Sequence, residues 1–536
     1  MTAAQIPQAD RPAMTHRQVL EAMSGLLLGL FVAILSSTVV SAALPRIITD
    51  LGGGQSSYTW VITATLLALT VSTPIWGKLA DLFDRKRLVQ SALVIYAVGS
   101  ILAGLSQSTS WLIACRVLQG VGAGGMTALT QVVLSDLVSP RERGRYMGLL
   151  GAVMAVGTVA GPLLGGVITD GIGWRWCFYV GVPIAVAAIV VLQRTLELPR
   201  RARRDAHIDV PGAVLISAGV SLLLVWVSFA GARFDWASWQ TAAMVLGAVA
   251  LLSAAIAVER RSREPLIPLD LFSSRTVVLA VIASIAVGVA LFGTSTFLSQ
   301  YMQLARGKSP TESGLLTIPM VLGVMVSSTV VGQIISRTGR YKRFMLAGTA
   351  MMTVGLALMG TLDETTSLVE LGAFMALVGL GIGMVMQNLV LVVQNSVPFS
   401  EMGAGSALIA FFRSLGGASG VSALGAVLSA KASATIASGL AGLGVHAAVG
   451  GSSSALPNVA ALPASVRAVV EHGYGSAVGE IFLVAAPMGI IAFVAILLLK
   501  EVPLGTVSGA EAAAAAEPER EERVLVPERE REPALA

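Results

Sequence analysis

The sequence predicts an all-helical membrane protein in which two similar six-helix bundles flank a pair of central helices. The first observation is composition, because 55% of the 536 residues are hydrophobic and only 12% are charged, whereas soluble globular proteins carry about 25% charged residues. The second is a series of fourteen long apolar runs, and the third is a set of motifs that occurs once in each half. A chain with so little charge cannot cover itself with a water-facing surface, so we place it in a lipid bilayer.

The apolar runs define the predicted domains. A membrane-crossing helix needs about 20 mostly apolar residues. Runs of this kind lie near 20–44, 58–80, 88–107, 111–134, 146–169, 176–193, 211–230, 240–258, 276–300, 313–336, 343–362, 368–394, 402–430 and 480–500. We therefore predict an N-terminal tail (1–19), a six-helix bundle (20–193), a linker with two extra spans (194–275), a second six-helix bundle (276–500) with a long extracellular loop at 431–479, and a disordered tail (501–536).

The positions of the basic residues predict the orientation. About three quarters of the 36 Lys and Arg residues fall on the side that holds both termini, and positive charge accumulates on the cytoplasmic side of a membrane. We expect a multi-pass protein of the cell membrane with both termini in the cytoplasm, and the abundance of Ala, Gly and Arg indicates a bacterial source. Because the basic clusters lie at the ends of predicted spans, they orient helices, and we exclude nucleic acid as a partner.

The loop between the second and third predicted spans contains a motif that the second half repeats. GKLADLFDRKR at 77–87 aligns with GQIISRTGRYK at 332–342, and internal repeats of six spans are used by transporters that alternate a central site between two faces. We predict that the motif is a gate element. Its candidate residues are Gly77, Asp81, Arg85, Lys86 and Arg87. The alternative is a cytoplasmic loop whose basic residues only orient the neighbouring spans and which has no role as a gate.

Two arginines lie inside apolar runs. Arg116 is about 9 Å from the outer end of its predicted helix, and Arg413 is near the middle of its own. An arginine inside a span costs about 2.5–3.5 kcal/mol on insertion scales and normally faces the bundle interior with a partner. We predict that both are buried charges involved in energy coupling. For Arg116 the alternative is a side chain that extends to the membrane interface.

The fifth predicted span carries small residues at four-residue spacing. Gly157, Gly161 and Gly165 share one helix face, Pro162 lacks a backbone donor, and Gly166 follows. Such a helix can approach its neighbours closely and bend. We predict a hinge, with close packing alone as the alternative.

No motif indicates catalysis or a cofactor. GVGAGG at 120–125 matches a dinucleotide-binding pattern but lies inside an apolar run instead of between a strand and a helix. Cys115 and Cys177 have no metal-ligand spacing. We expect no enzyme activity, no cofactor and no metal.

Several motifs resemble those of a known family. The sequence resembles the major facilitator superfamily in RVLQGVGAGG, GTVAGPLLGG and GKLADLFDRKR. It is similar to the fourteen-span drug:proton antiporters of the EmrB/QacA type in LSSTVVSAALP (35–45), GWRWCFYVGVP (173–183) and YMQLARGKSPTESGLLTIP (301–319). The resemblance covers about residues 20 to 500 and implies the major facilitator fold. It also implies that Asp81 and Arg85 form a cytoplasmic gate, that Arg116 takes part in proton coupling, and that the glycines of the fifth span limit leak.

One position departs from the family pattern. Many relatives carry an aspartate in the first span where this chain has Ser36, and no Asp or Glu lies well inside any predicted span. Proton antiport normally needs a buried acid, so the proton carrier is not identified, and a neutral or anionic substrate is favoured over a cation. The residues predicted to line the substrate pathway, each of which has a helix–helix hydrogen bond as its alternative role, are Ser36, Thr38, Gln119, Gln131, Gln387, Asn388 and Gln394.

The predicted function is export of amphipathic drugs or other small organic compounds in exchange for protons, by alternating access. A dedicated exporter of an endogenous metabolite or antibiotic, with weak or atypical proton coupling, is the second hypothesis, and a membrane sensor that does not transport is the third. The expected partners are a small-molecule substrate, protons and the lipid bilayer, and the expected functional unit is a monomer.

Overall fold

The fold is built from long helices in both halves of the chain. A computed structural model describes residues 16–52, 55–138, 140–196, 209–230, 234–262, 268–308, 310–398, 401–442, 462–502 and 504. The α-helices of this part of the chain are α1 (His16–Asp50), α2 (Gln55–Leu82), α3 (Arg85–Gly104), α4 (Thr109–Leu137), α5 (Pro140–Gly171), α6 (Trp176–Tyr179), α7 (Gly181–Thr195), α8 (Val210–Phe229), α9 (Trp239–Glu259), α10 (Arg275–Gln300), α11 (Pro310–Leu316), α12 (Ile318–Thr338), α13 (Lys342–Met359), α14 (Leu368–Gln394), α15 (Met402–Gly442) and α16 (Ala464–Leu498). A 3-10 helix (Leu269–Ser273) precedes α10 and a π-helical turn (Tyr301–Ala305) follows it.

The two halves pack in the same way. In the first half, α1 packs against α5 and α7, while α4 packs against α2 and α3. In the second half, α10 packs against α15 and α16, while α14 packs against α12 and α13. Because helices in lipid satisfy their own backbone groups, specificity comes from such side-chain packing. The matched arrangement agrees with the motifs repeated in the sequence.

The halves meet along two helix pairs, and the central helices lie beside one of them. The first pair is α2 with α15, and the second is α5 with α12. The α8–α9 hairpin packs on both α2 and α15. Its apolar contact includes Ile216 and Val220 of α8, which form a cluster with Phe411 of α15. The insertion therefore touches both halves at their interface.

The number of membrane spans differs from the prediction. Among the described residues, twelve helical segments are long and apolar enough to cross a membrane, so the predicted count of fourteen is not confirmed. Helices also form at the other two predicted positions, as α8 and α13. Neither is long and apolar enough to be counted among the twelve. The apolar part of α8 spans only Pro211–Val227, and α13 has 18 residues, of which the first two are Lys342 and Arg343.

Several predicted boundaries also change. The predicted loop at 431–479 is shorter, because α15 continues to Gly442 and α16 begins at Ala464. Small residues in both helices allow this extension, for example at Gly473, where a β-carbon would meet Ile436 of α15 at 2.5 Å. The predicted disordered tail lies outside the described residues except at its beginning, and so does most of the N-terminal tail.

Candidate functional site

An aspartate at the end of α2 binds the first turn of α15. Asp81 Oδ1 accepts a hydrogen bond from the Gly403 backbone N–H at 3.1 Å, and Oδ2 accepts one from the Ala404 N–H, also at 3.1 Å. The first N–H groups of a helix have no partner within it, and the helix dipole favours a negative charge at this end. The Asp81 carboxylate therefore joins the first half of the chain to the second.

Arg85 lies between two buried carboxylates next to this contact. Its Nη2 lies 3.6 Å from Asp81 Oδ1, and its Nη1 forms an ion pair with Asp136 Oδ1 of α4. The side chains of Arg85, Asp81 and Asp136 are only 3%, 5% and 8% exposed. Because loss of one partner from a buried ion pair costs about 3–5 kcal/mol, both carboxylates depend on Arg85.

A second connection between the halves is made by Arg143 and Gln394. Arg143 Nη1 donates to Gln394 Oε1 at 3.1 Å, and its Nη2 donates to the Ser135 carbonyl at 2.8 Å. Gln394 in turn donates to the Gln131 carbonyl at 3.3 Å and to Ser406 Oγ at 2.7 Å. Arg143 precedes the apolar span of α5, which begins at Arg145. Burial lowers the pKa of the Arg143 guanidinium to about 10, against an opposing effect of Asp136, so Arg143 is charged at neutral pH.

We call Asp81, Arg85, Asp136, Arg143 and Gln394 the inter-half cluster. All five lie at the end of the bundle where α2 ends and α14 ends. Two glycines allow the helices to meet there, because a β-carbon on Gly403 would lie 2.5 Å from the Gly77 carbonyl oxygen, and one on Gly77 would overlap Ala407. The cluster therefore brings the ends of α2, α4 and α14 into contact with the first turn of α15.

The predicted gate residues divide into two groups. Gly77, Asp81 and Arg85 lie in or against the inter-half cluster. Lys86 and Arg87 do not join it: Lys86 Nζ donates to the Gln193 carbonyl at the end of α7, and Arg87 is exposed, with its backbone N–H bound to Asp84.

Two members of the cluster were not predicted from the sequence, and a third, Gln394, was assigned to the substrate pathway. Asp136 and Arg143 lie on either side of the α4–α5 connection. Charged residues are common at the edges of such loops, so these two do not stand out by residue type. Their position next to a predicted span end, on the same side as the repeated motif, is the only signal that pointed to them. Gln131 and Gln394, predicted as substrate contacts, lie at the cluster, because α14 brings its last residue against α4.

Arg116 lies beside a small cavity in the first half. Its Nη1 donates to Gln119 Oε1 at 3.0 Å and its Nε donates to the Val61 carbonyl at 3.4 Å. Gln119 Nε2 donates to Ser100 Oγ at 2.8 Å. The cavity is lined by Ala33, Ser36, Ser37, Thr65, Leu66, Leu69, Tyr96, Arg116, Gln119 and Ala123. Arg116 is 3% exposed, so the structure supports an inward position over extension to the interface.

The predicted glycine helix packs on α1. A β-carbon on Gly161 would overlap Thr38, and one on Gly157 would lie 3.1 Å from Ile34. Thr38 Oγ1 also donates to the Gly157 carbonyl at 3.1 Å. One turn further, the Gly165 carbonyl accepts a weak hydrogen bond from Cys177 Sγ of α6 at 3.9 Å. Pro162 and Gly166 lie in the same helix. Within the motif, Gly157 and Gly161 form the close contact between α1 and α5.

The remaining predicted residues lie apart from the cavity beside Arg116. Arg413 is 4% exposed and its Nη1 has no hydrogen-bond partner among the described residues. Its backbone lies against Gly288 of α10. Gln387 Nε2 contacts Met154 Sδ of the other half at 3.6 Å, whereas Asn388 bonds within its own helix, to the Met384 carbonyl.

The Arg143–Gln394 contact should be measurable by a double-mutant cycle. We expect Arg143→Met and Gln394→Leu each to lower the thermal stability of the purified protein, because each leaves buried polar groups without a partner. The coupling energy between two contacting residues is about 0.5–3 kcal/mol, so the double variant should lose less than the sum of the single losses. Additive losses would show that the two side chains do not interact.

Comparison with known proteins identifies the family. The family model described as Major Facilitator Superfamily matches residues 26–421. A Mycobacterium tuberculosis (strain H37Rv) protein named as an uncharacterized MFS-type transporter is 36% identical over 90% of this chain and 69% of its own length. The multidrug transporter protein MdtP of Bacillus subtilis is 36% identical over 76% of this chain and 75% of its own length. The efflux pump FUS6 of Gibberella fujikuroi is 33% identical over 74% of this chain and 73% of its own length.

Two solved structures share the fold. The human organic anion transporter MFSD10 superposes with a TM-score of 0.60 at 15% identity, over 89% of this chain and 99% of its own. The proton:xylose symporter XylE superposes with a TM-score of 0.61 at 14% identity, over 93% of this chain and 100% of its own. At these identities the likeness concerns the fold alone. Together with the family match and the apolar helices, it shows that this chain is a multi-pass membrane transporter of the major facilitator superfamily, not an enzyme.

Proposed function

We propose that this transporter exports amphipathic small organic compounds from the cytoplasm in exchange for protons, by alternating access. The observation that carries the proposal is the inter-half cluster. It joins the halves at one end of the bundle through a carboxylate on a helix N-terminus and through the hydrogen bonds of Gln394 with Arg143 and with the Gln131 carbonyl. Contacts of this kind have two discrete states, made and broken, and a change between two such packed arrangements is what alternating access requires.

The direction of transport is supported by the relatives and by the glycine helix. MdtP and FUS6 are named as a multidrug transporter and an efflux pump. The close α1–α5 packing at Gly157 and Gly161 fits a helix that moves as a rigid unit with little space for leak. The charge distribution supports cytoplasmic termini, which places the inter-half cluster on the cytoplasmic side. In this orientation the cluster would hold the cytoplasmic end of the bundle closed.

A second candidate, a dedicated exporter with weak or atypical proton coupling, is favoured by one observation. Ser36 lines the cavity beside Arg116 as a neutral hydroxyl, and no described carboxylate makes an ion pair with this arginine. Gln387, with a buried Oε1 that has no described partner, and Asn388 remain candidates for substrate contacts near the second half.

The experiment is transport by purified protein in proteoliposomes. A panel of fluorescent amphipathic compounds is followed with and without an imposed pH gradient, and empty liposomes give the background. We expect transport that the gradient accelerates and that a protonophore stops. Transport of the same rate without a gradient would refute proton coupling and favour the second candidate. No transport of any compound would contradict the exporter proposal.

We also propose that α8 and α13 cross the bilayer, which gives fourteen spans. The position of α13 supports this, because it packs on α14 as the apolar helix α3 packs on α4. In a variant with Cys115 and Cys177 replaced by serine, we expect a cysteine at Arg340 and one at Thr365 to react with a membrane-impermeant maleimide from opposite sides. Both positions are exposed in the structure. Labelling of both from one side would show that α13 does not cross.

A further inference from the structure

The Arg116 guanidinium carries a buried charge that its hydrogen-bond partners do not neutralise. Arg116 is 3% exposed, and its Nε and Nη1 donate to the Val61 carbonyl and to Gln119 Oε1. Both acceptors are uncharged, and no described carboxylate forms an ion pair with this arginine. A buried charge is expensive unless a charge of opposite sign accompanies it. The folded protein would therefore gain stability from one negative charge beside Arg116.

The cavity beside Arg116 limits the size of the group that can carry this charge. Its volume is about 20 Å³, and a cavity of about 10–15 Å³ is enough for one water molecule. The cavity therefore has room for one or two water molecules, or for a single monatomic anion, which is only slightly larger than a water molecule. Leu66 and Leu69 form part of the apolar wall. An organic anion does not fit.

Two of the four hydroxyl groups that line the cavity are already used as donors. The Tyr96 hydroxyl donates to the Val32 carbonyl at 3.3 Å, and the Thr65 hydroxyl donates to the Val61 carbonyl at 3.2 Å. A hydroxyl has one proton to donate, so these two groups offer only their lone pairs to the cavity. They do not stabilise an anion.

The donors that face the cavity come from α1 and from Arg116. Ser36 Oγ is buried and makes no hydrogen bond to a described residue, although buried hydroxyl groups normally have a partner. Ser37, the next residue of α1, also lines the cavity. Arg116 Nη2 makes no hydrogen bond to the described residues. One small anion in the cavity can therefore accept from Ser36 and from Arg116.

We propose that a single chloride ion, or another monatomic anion of similar size, binds in this cavity between Arg116 and Ser36. A water molecule could satisfy the Ser36 hydroxyl but would leave the charge of Arg116 uncompensated, and this difference favours the anion. The ion acts as a resident counter-charge that stabilises a buried arginine. The inference does not depend on the proposed export function, because it concerns the protein in the absence of any transported compound.

The first test measures binding of radioactive chloride to full-length protein by equilibrium dialysis in sodium gluconate, with detergent micelles alone as the background. We expect saturable binding that bromide displaces and that the larger acetate ion does not. Arg116→Gln should abolish binding. Ser36→Ala removes one hydrogen bond to a charged group but leaves the space, so it should weaken binding about tenfold. Ser41→Ala is the matched control, because this exposed hydroxyl of the same helix donates to the Ser37 carbonyl, and it should bind like the wild type.

Thermal unfolding gives a second measurement that does not require detection of the bound ion. A ligand that binds only the folded state raises the Tm, so the wild type should melt at a higher temperature in sodium chloride than in sodium gluconate of equal ionic strength. Ser36→Asp places a carboxylate beside Arg116 and fills the cavity, so its Tm should be the same in both salts. Ser41→Ala should keep the wild-type difference.

Two results would overturn the proposal. Wild-type protein that binds no chloride above the micelle background would leave water as the occupant of the cavity. Chloride binding that neither Arg116→Gln nor Ser36→Ala changes would place the ion elsewhere on the protein. If Arg116→Gln does not yield folded protein, Ser36→Ala and the competition by bromide and acetate decide the question.

Discussion

Asp81→Asn is expected to abolish most export, because it opens the inter-half cluster. An asparagine has one acceptor oxygen where Asp81 has two, so one of the Gly403 and Ala404 N–H groups loses its partner. Arg85 also loses one of its two carboxylates. The hydrogen bonds from Gly403 and Ala404 cross between the halves, whereas the ion pairs of Arg85 lie within the first half, so the former stabilise the closed state directly. A hydrogen bond to a charged group contributes about 1.5–3 kcal/mol, and its loss lowers the stability of the closed state relative to the open state by about that amount.

The change is best measured as a distance between the halves. Spin labels at Phe83 and Ser396, both exposed and at the same end of the bundle, should show a longer-distance population in Asp81→Asn than in the wild type. The matched control is Asp84→Asn, three residues further, where the only hydrogen bond that the side chain accepts from a described residue comes from the backbone N–H of Arg87. Asparagine caps a helix as well as aspartate does, so this variant should keep both the wild-type distances and export. An Asp81→Asn protein with unchanged distances and full export would show that the cluster is not a gate.

Gly161→Val is expected to eliminate transport through a steric effect. A β-carbon at Gly161 overlaps the Thr38 side chain and lies 3.0 Å from the Thr38 carbonyl carbon, so the α1 backbone itself must move. Overpacking of a tight contact costs about 1–3 kcal/mol or more, and here it also pushes α1 and α5 apart. Export in proteoliposomes and thermal stability in detergent should both fall.

The same helix offers a size-matched control. Gly171, at the end of α5, has no heavy atom within 4 Å of the position of a β-carbon, so Gly171→Val should express, melt and transport like the wild type. Combining Gly161→Ala with Thr38→Gly removes the two nearest obstructing atoms and should recover part of the loss in stability. Wild-type behaviour of Gly161→Val would mean that the α1–α5 contact is looser than the structure shows.

The sequence could locate the charges that matter but not their partners. Arg116 and Asp81 were predicted to be functional because a buried charge in a span is costly, and a repeated motif marked the loop. The partners of Asp81 are backbone groups of α15, more than 300 residues away, and those of Arg85 include Asp136 at the end of another helix. Such contacts have no periodic pattern, since they depend on which helix ends meet at one side of the bundle. Gln394 was assigned to the substrate pathway for the same reason.

What the sequence by itself determined is the class of the protein, its internal repeat and the helix faces built for close packing. These follow from apolar length, because only a helix satisfies its backbone in lipid, and from glycines at a spacing that places them on one face. The composition of α13 does not decide whether this helix crosses the membrane, because Lys342 and Arg343 reduce the mean hydropathy of a short helix. Its packing on α14 nevertheless matches that of α3 on α4. Only the tertiary structure placed Asp136, Arg143 and Gln394 in one cluster with Asp81, and Ser36 and Thr65 in one cavity with Arg116. The physical reason is that both sites are formed between helices, so their geometry exists only after the helices have packed.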